Sequence, residues 1–329
     1  MTAELKVGVI GCGGHAQSHF AMIKAEPRMK LVAIAEIDEA RRRKAQTDHQ
    51  PEVAFADYRE LLDKTDLDVV YVVTLAGHLL PIVQECLGRN IHTSIEKAPG
   101  YTAAETRQMV AAAQASKAKA IVSFNRRYFP EILAVRRLAQ ERGGAVQVAA
   151  NYHKPASGIV PADRQHVVPP ELTSDAIHHV DLIRWMTGRT QAEARVATEL
   201  YAHTWRGAGV PAPHHNAVIK FDDHTHGVMM SHFGVGYRIQ SAEVHAEGMS
   251  AYLELTRKPQ ITLYLDGQLV EQPLDLDAVG GVTFNETRHF VDCILTDKEP
   301  WSTVADAVKT MELCEAIVAG HQGAMAAHD

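Results

Sequence analysis

The sequence predicts an α/β protein of two domains: an N-terminal doubly wound parallel sheet, then a C-terminal α+β domain with a mostly antiparallel, open-faced sheet. Three observations carry that expectation. Short apolar runs alternate with helix-length segments over the first 124 residues. A glycine-rich turn joins the first run to the first helix. From residue 145 the pattern changes to short alternating segments separated by turn residues. At 329 residues the chain has room for two hydrophobic cores. The expected division is 1–124 and 125–329, with the final helices able to pack back on the first domain.

The elements follow in order. LKVGVI (5–10) is an apolar run of the kind buried in a parallel sheet, and GCGGHA (11–16) follows at once. HAQSHFAMIKAE (15–26) then repeats Ala16, Phe20 and Ile23 at helical spacing. Gly11, Gly13 and Ala16 fill the three small positions of a GxGxxG/A turn, which are needed for a tight turn, close backbone approach to a pyrophosphate, and close helix–strand packing. The helix N-terminus offers free N–H groups and the positive end of its dipole to phosphates. Together these mark a Rossmann domain.

LVAIAEID (31–38) reads as a second buried strand ending at Glu36, about 25 residues after Gly11, near the roughly 20-residue spacing of a ribose-binding acid. A carboxylate there accepts hydrogen bonds from both ribose hydroxyls and repels a 2′-phosphate, so NAD is favoured over NADP. The plainer reading is an ordinary strand-end acid, and Arg41 to Arg43 are placed to reach a 2′-phosphate. Otherwise the RRRK run (41–44) reads as a solvated helix face.

DLDVVYVVT (66–74), IHTSI (91–95) and AIVSF (120–124) continue the strands, with LLPIVQECLGRN (79–90) and TAAETRQMVAAAQASK (102–117) as helices between them. Ligands of such sheets sit beyond the carboxyl ends of the strands. That rule gathers Gly11, Cys12, Gly13, Gly14 and His15, then Glu36, Thr74, Leu75 and His78, Glu96 with Lys97, and Asn125 with Arg126 on one rim, as cofactor-binding candidates beside Ala16.

In the second half, AVQVAANYHK (145–154), NAVIKF (216–221), THGVMMSHF (225–233), AEVHAEG (242–248), AYLELTR (251–257) and ITLYL (261–265) read as strands, with Asp266-Gly267 as a hairpin turn. One helix interrupts them at 173–188. Thr173 or Ser174 caps it, Asp175 suits its positive dipole end and Gly188 ends it. Asp175, His178, Leu182 and Trp185 lie along one stripe, with His179 beside His178. A carboxylate one turn before an imidazole can fix its tautomer and raise its basicity, leaving the other nitrogen to take a proton from a hydroxyl. The plainer alternative is a capping Asp and a structural His. Tyr152, His153 and Lys154 end a strand as hydroxyl-binding candidates, or simply as exposed polar residues.

Composition narrows the function. Apolar residues make up 46% and charged residues 22%, a globular balance. Lys and Arg number 33 against 40 Asp and Glu, and the net charge of −7 gives no reason to expect nucleic acid or an anionic membrane. Cys12, Cys86, Cys293 and Cys314 show no CxxC spacing, which fits a reducing cytoplasm. The N-terminus lacks leader features, and no run approaches the roughly 18 apolar residues of a membrane helix. His214, His215, His224, His226 and His232 crowd one region, but no Cys or evenly spaced acid joins them, and no metal is expected.

GCGGHAQSH (11–19), VVTLAGH (72–78, with Leu75 where a Pro is usual), SIEKAPG (94–100), FNRRYFPEI (124–132), TSDAIHHVDLIRWMTG (173–188) and FVDCILTDKEPWSTVADAVKTMELCEAI (290–317) together resemble the Gfo/Idh/MocA oxidoreductases. The resemblance implies an NAD-dependent enzyme oxidising a secondary hydroxyl of a sugar, polyol or inositol-like compound. It implies that Lys97 and His178 share the hydroxyl proton, that Asp175 orients the His, and that the C-terminal sheet joins copies into a homodimer or homotetramer. Counting from Asp175 selects His179 instead as base; counting back from Asp181 selects His178. In SIEKAPG the Pro of the family's Glu-Lys-Pro signature is displaced by one, so the associated cis peptide moves to Ala98–Pro99 or is lost. Two other readings stay open: redox-elimination chemistry on a glycoside, and an NAD and sugar sensor without turnover.

Overall fold

In the computed structural model, which describes residues 4–190, 192–206, 212–223 and 225–325, the chain forms two units. The first comprises Met1–Ser123 and Asn285–Ala307, the second Phe124–Phe284 and Val308–Asp329. His224 lies outside the described residues. Among the described residues no helix is long and apolar enough to cross a membrane.

The first unit holds six parallel strands: β1 (Leu5–Ile10), β2 (Met29–Ala35), β3 (Val53–Phe55), β4 (Val69–Val72), β5 (His92–Ile95) and β6 (Ala120–Val122). Their spatial order, β3-β2-β1-β4-β5-β6, is the doubly wound Rossmann order. The helices α1 (Ala16–Ala25), α2 (Glu39–His49), α3 (Tyr58–Lys64), α4 (Leu79–Gly88) and α5 (Ala103–Ala115) connect the strands. Each central strand is apolar on both faces because helices cover both: Val7, Val9, Val69, Val70 and Val72 are fully buried. Caps follow the chemistry expected of helix starts. Asp38 accepts from the N–H of Arg41, Asp57 from Arg59 and Thr102 from Glu105.

The second unit starts with α6 (Pro130–Glu141) and is built on nine strands: β7 (Gln147–Lys154), β8 (Ala197–Arg206), β9 (Pro213–Phe221), β10 (His226–Phe233), β11 (Ile239–Ala246), β12 (Met249–Glu254), β13 (Gln260–Leu265), β14 (Gln268–Leu269) and β15 (Gln322–Ala324). Only β7 and β10 pair in parallel; every other described pairing in this sheet is antiparallel. Asp266 and Gly267 have φ of 50° and 80°, the two positive values of a type I′ hairpin turn, and link β13 to β14 as expected. One face is covered: α7 (Ile177–Met186) packs on β7 and β10, and α6 on β11. Alternation sends Val148, Ala150 and Tyr152 to that side, and Asn151 and His153 to the other. The chain ends with α8 (Glu286–Thr296) and α9 (Val304–Ala319), the closing helix pair.

The helix at 173–188 departs from expectation at its start. A π-helical turn, Leu172–Ala176, precedes α7, so neither Thr173 nor Ser174 caps it, and Asp175 lies inside the wide turn. Gly188 follows the helix as expected. A Cβ there would meet the Glu193 carbonyl oxygen at 1.9 Å.

Candidate active site

Glycine is required at the first turn for a stated reason. Gly11 has φ of +90°, and a Cβ would lie 2.3 Å from the carbonyl oxygen of Val73. Gly11→Ala is expected to cost roughly 2–4 kcal/mol and to weaken dinucleotide binding, checked by urea unfolding and by NAD titration. Beside it, a Cβ on Gly13 or Gly14 would meet nothing within 4 Å. That open space, above an α1 N-terminus with no side-chain cap and no acidic residue in its first turn, fits a pyrophosphate.

Glu36 follows β2, and its carboxylate faces the turn. Oε2 accepts from the Cys12 N–H at 2.8 Å; Oε1 accepts from the Asp38 N–H at 3.0 Å and from Arg41 Nη2 at 3.1 Å. Burial alone would push this carboxyl up, but the two N–H groups and the guanidinium hold it below the usual range. It is an anion at neutral pH, suited to ribose hydroxyls. Arg41 and Arg42 are not only a solvated face, since Arg42 Nη1 also donates to the Glu36 carbonyl at 2.7 Å. Thr74, Leu75 and His78 occupy the loop and short 3₁₀ turn between β4 and α4, where Leu75 is exposed.

Glu96 and Lys97 follow β5. The Lys97–Ala98 peptide is cis, and Ala98–Pro99 is not. Lys97 is half-buried, while Glu96 is buried, with Oε2 3.0 Å from His19 Nε2 of α1. The opening of β5 into an acid and a lysine therefore gives two different environments. Near Glu96 lies a further acid that sequence reasoning missed: Glu286 of α8, fully buried, accepts from Ser123 Oγ at 3.1 Å through Oε2. Burial first, then the charge of Glu96, pushes the Glu286 carboxyl up to about 7 against the pull of His19. Burial works against the charge on His19, but the hydrogen bond and charge of Glu96 raise it overall.

An acid raised from 4.5 to about 7 in the folded state contributes stability that is complete below pH 4.5 and is lost as pH rises through about 7. His19 adds a loss of the same sign as pH rises, and Glu96, held low, has the opposite sign on the acid side of 4.5. Glu286→Gln is therefore expected to flatten a decline on the order of 1–3 kcal/mol between pH 5 and 8, read from urea unfolding at each pH.

In the second unit, Asp175 Oδ1 accepts from the Tyr152 hydroxyl at 2.9 Å and Oδ2 pairs with Lys154 Nζ. His178 is half-buried. His179 is completely buried, its ring edge-on to Tyr152 with centroids 5.1 Å apart, and neither ring nitrogen has a hydrogen-bond partner among the described residues. Burial, then the Arg126 charge, holds the His179 imidazole neutral. The structure thus brings Tyr152, Lys154 and Asp175 together. It does not bring His153 to them: alternation puts His153 on the open face, where its Nδ1 accepts from the His232 N–H at 3.2 Å. Asn125 and Arg126 fall in a 3₁₀ turn of this unit, and the Arg126 side chain packs against Gln240 of β11. Gln240 was missed too, although its phase with Ala242, Val244 and Ala246 marks a polar residue on an apolar face.

A glycine turn with open space over two of its glycines, a helix N-terminus and a strand-end anion define a dinucleotide-binding domain of the oxidoreductase class. Comparison with known proteins agrees: residues 5–124 match the model described as Oxidoreductase family, NAD-binding Rossmann fold. Residues 5–124 thus form an NAD-binding Rossmann domain of the Gfo/Idh/MocA oxidoreductase type. D-apiose dehydrogenase of Paraburkholderia graminis is 24% identical over 336 residues, 95% of this chain and 86% of that protein. Inositol 2-dehydrogenase of Paracoccus denitrificans is 27% identical over 196 residues, 58% of this chain and 57% of that protein. The match to the uncharacterized oxidoreductase YrbE of Bacillus subtilis is 28% over 140 residues, covering 43% and 41%. The chain thus spans about half the length of these last two relatives. Levoglucosan dehydrogenase in complex with NADH superposes with a TM-score of 0.82 at 17% identity over 96% of each chain, a likeness of fold.

Proposed function

We propose that the protein oxidises a secondary hydroxyl of a sugar, polyol or inositol-like compound, with Lys97 and His178 handling the hydroxyl proton and Asp175 positioning the recognition groups around it. The observation that carries the reading is the presence, in one chain, of a Rossmann rim ending in a half-buried Lys97 and a helix that leaves His178 accessible next to an ion-paired Asp175. When bound, NAD supplies the acceptor for the hydride. Lys97 donates a hydrogen bond to the reacting oxygen and stabilises developing alkoxide charge. A ring nitrogen of His178 takes the proton. His178 suits this better than His179, which is held neutral inside the core with no accessible surface. Tyr152 and Lys154 fix the Asp175 carboxylate from both oxygens, and so fix the turn that leads into α7.

Absorbance at 340 nm with purified protein, NAD and a panel of sugars and polyols tests the reading. Net NADH formation supports it. Release of a leaving group without net NADH points to elimination chemistry, and binding without either product points to a sensor. Cofactor choice has its own check: Glu36→Ala is expected to raise the Kd for NAD about tenfold and to narrow the preference over NADP, because one anionic acceptor is lost and Arg41 is released toward a 2′-phosphate. Unchanged preference in a fluorescence titration would remove Glu36 from the ribose site.

A further inference from the structure

We propose that Arg126 and Gln240 form a recognition site for an oxyanion, so that the hydroxyl compound acted on carries a carboxylate or phosphate rather than being a neutral sugar. This rests on the dehydrogenase reading and names its substrate class. Arg126 is only 9% exposed. Its Nη2 donates to Gln240 Oε1, its guanidinium lies 5.9 Å from the Phe129 ring centroid, and its Nε is buried with no hydrogen-bond partner among the described residues. No carboxylate among the described residues forms an ion pair with it. Two other deeply buried arginines have more partners: Arg127 is held by both oxygens of Asp181, and Arg136, although its Nη1 has no partner among the described residues, donates to the carbonyls of Trp185, Thr190 and Glu193 while stacking on Trp185. A guanidinium taken from water without a counter-charge is costly, and a bound oxyanion would offset that cost.

Three further features point the same way. Gln240 is fully buried, and the Nε2 of its amide also lacks a partner among the described residues, so a second unused donor stands beside the guanidinium. Arg238 adds a second positive charge that acts on Arg126, together with Tyr152 and Asp175, and burial with that like charge lowers Arg126 to about 10. The charged groups of the cluster are Arg126, Arg238 and Lys154 against Asp175; Lys154 and Asp175 neutralise each other as a pair, leaving two guanidinium charges over. His179, the neighbouring imidazole of α7, is neutral. A local surplus of buried donors and positive charge, in a chain of net charge −7, is complementary to an anion.

Calorimetric titration of the full chain loaded with NAD tests this, with D-glucuronate, D-gluconate, D-glucose 6-phosphate, D-glucose and myo-inositol as probes. At least one anionic probe is expected to bind about tenfold or more tightly than its neutral counterpart. Arg126→Gln should lower the ratio of anionic to neutral affinity on the order of 100-fold. Arg238→Gln, at an exposed position where folding is not at risk, should lower it on the order of tenfold, more at low salt than at high. The carboxylate and phosphate arms identify which oxyanion is preferred. Equal or tighter binding of the neutral probes, no binding of any acid, or acid binding indifferent to both substitutions overturns the proposal. NADH formed only from neutral probes sinks it while leaving the dehydrogenase reading intact. Acid binding that depends on Arg126 without NADH from any probe does the reverse.

Discussion

Lys97→Ala and His178→Ala are each expected to lower kcat by roughly 10²–10⁴-fold, with NAD affinity changed by less than about threefold. The reasoning is electrostatic. Oxidation of a secondary alcohol develops alkoxide character on one oxygen, and the barrier falls when a donor stabilises that oxygen and a base removes the proton. In the proposed reading Lys97, half-buried at the end of β5, would supply the first function and His178 the second. Under that reading the two act in one proton transfer, so the double substitution is expected to cost far less than the product of the two single losses. Lys97→Met keeps the length of the side chain and removes its charge, so it separates the charge from the packing. His179→Ala, by contrast, is expected to act on stability, because it opens a cavity against Tyr152 in a fully buried site.

Asp181→Ala is expected to destabilise the second unit by about 3–5 kcal/mol. Arg127 and Asp181 are both buried, and the guanidinium meets the carboxylate through Nε at 2.7 Å and through Nη2 at 2.5 Å. The network continues, since Thr310 of α9 donates to Asp181 Oδ1 at 3.0 Å and accepts from Arg184 Nη1 at 2.6 Å. Removing the carboxylate leaves a guanidinium with 0% side-chain exposure facing the site of its lost partner. Replacing both members by apolar residues, as in Arg127→Met with Asp181→Leu, is expected to recover much of the loss, because no uncompensated charge remains. Urea unfolding of the two single variants and the double variant reads the cycle. Additive losses would mean that packing, not charge, dominates.

Much of this organisation is legible in the sequence, for physical reasons. A strand buried on both faces must be an apolar run, so the strands of the first sheet and its carboxyl-end rim follow from residues such as LKVGVI and VVYV, and Glu36 and Lys97 fall where strands end. What stayed hidden depends on the third dimension. The π turn before α7 has no compositional signature, because i→i+5 bonding is set by tertiary packing, and it displaces the expected cap at Thr173 or Ser174. His153 follows Tyr152 directly in sequence yet points to the other face of the sheet, which strict alternation would have told. The contact between Arg126 and Gln240 joins residues 114 apart, and Glu286 reaches Ser123 across 163. Register, not composition, determines such pairs. Lys97 kept the cis peptide that its displaced Pro99 put in doubt.

Hydride transfer by this chain is tested by the stoichiometry of NADH, followed at 340 nm, against carbonyl product for the wild-type chain and Lys97→Met on the best substrate of the panel. One NADH is expected for each carbonyl formed, with loss of both together in Lys97→Met while NAD still binds. Product formed without matching NADH, or turnover in Lys97→Met within about twofold of wild type, would contradict it.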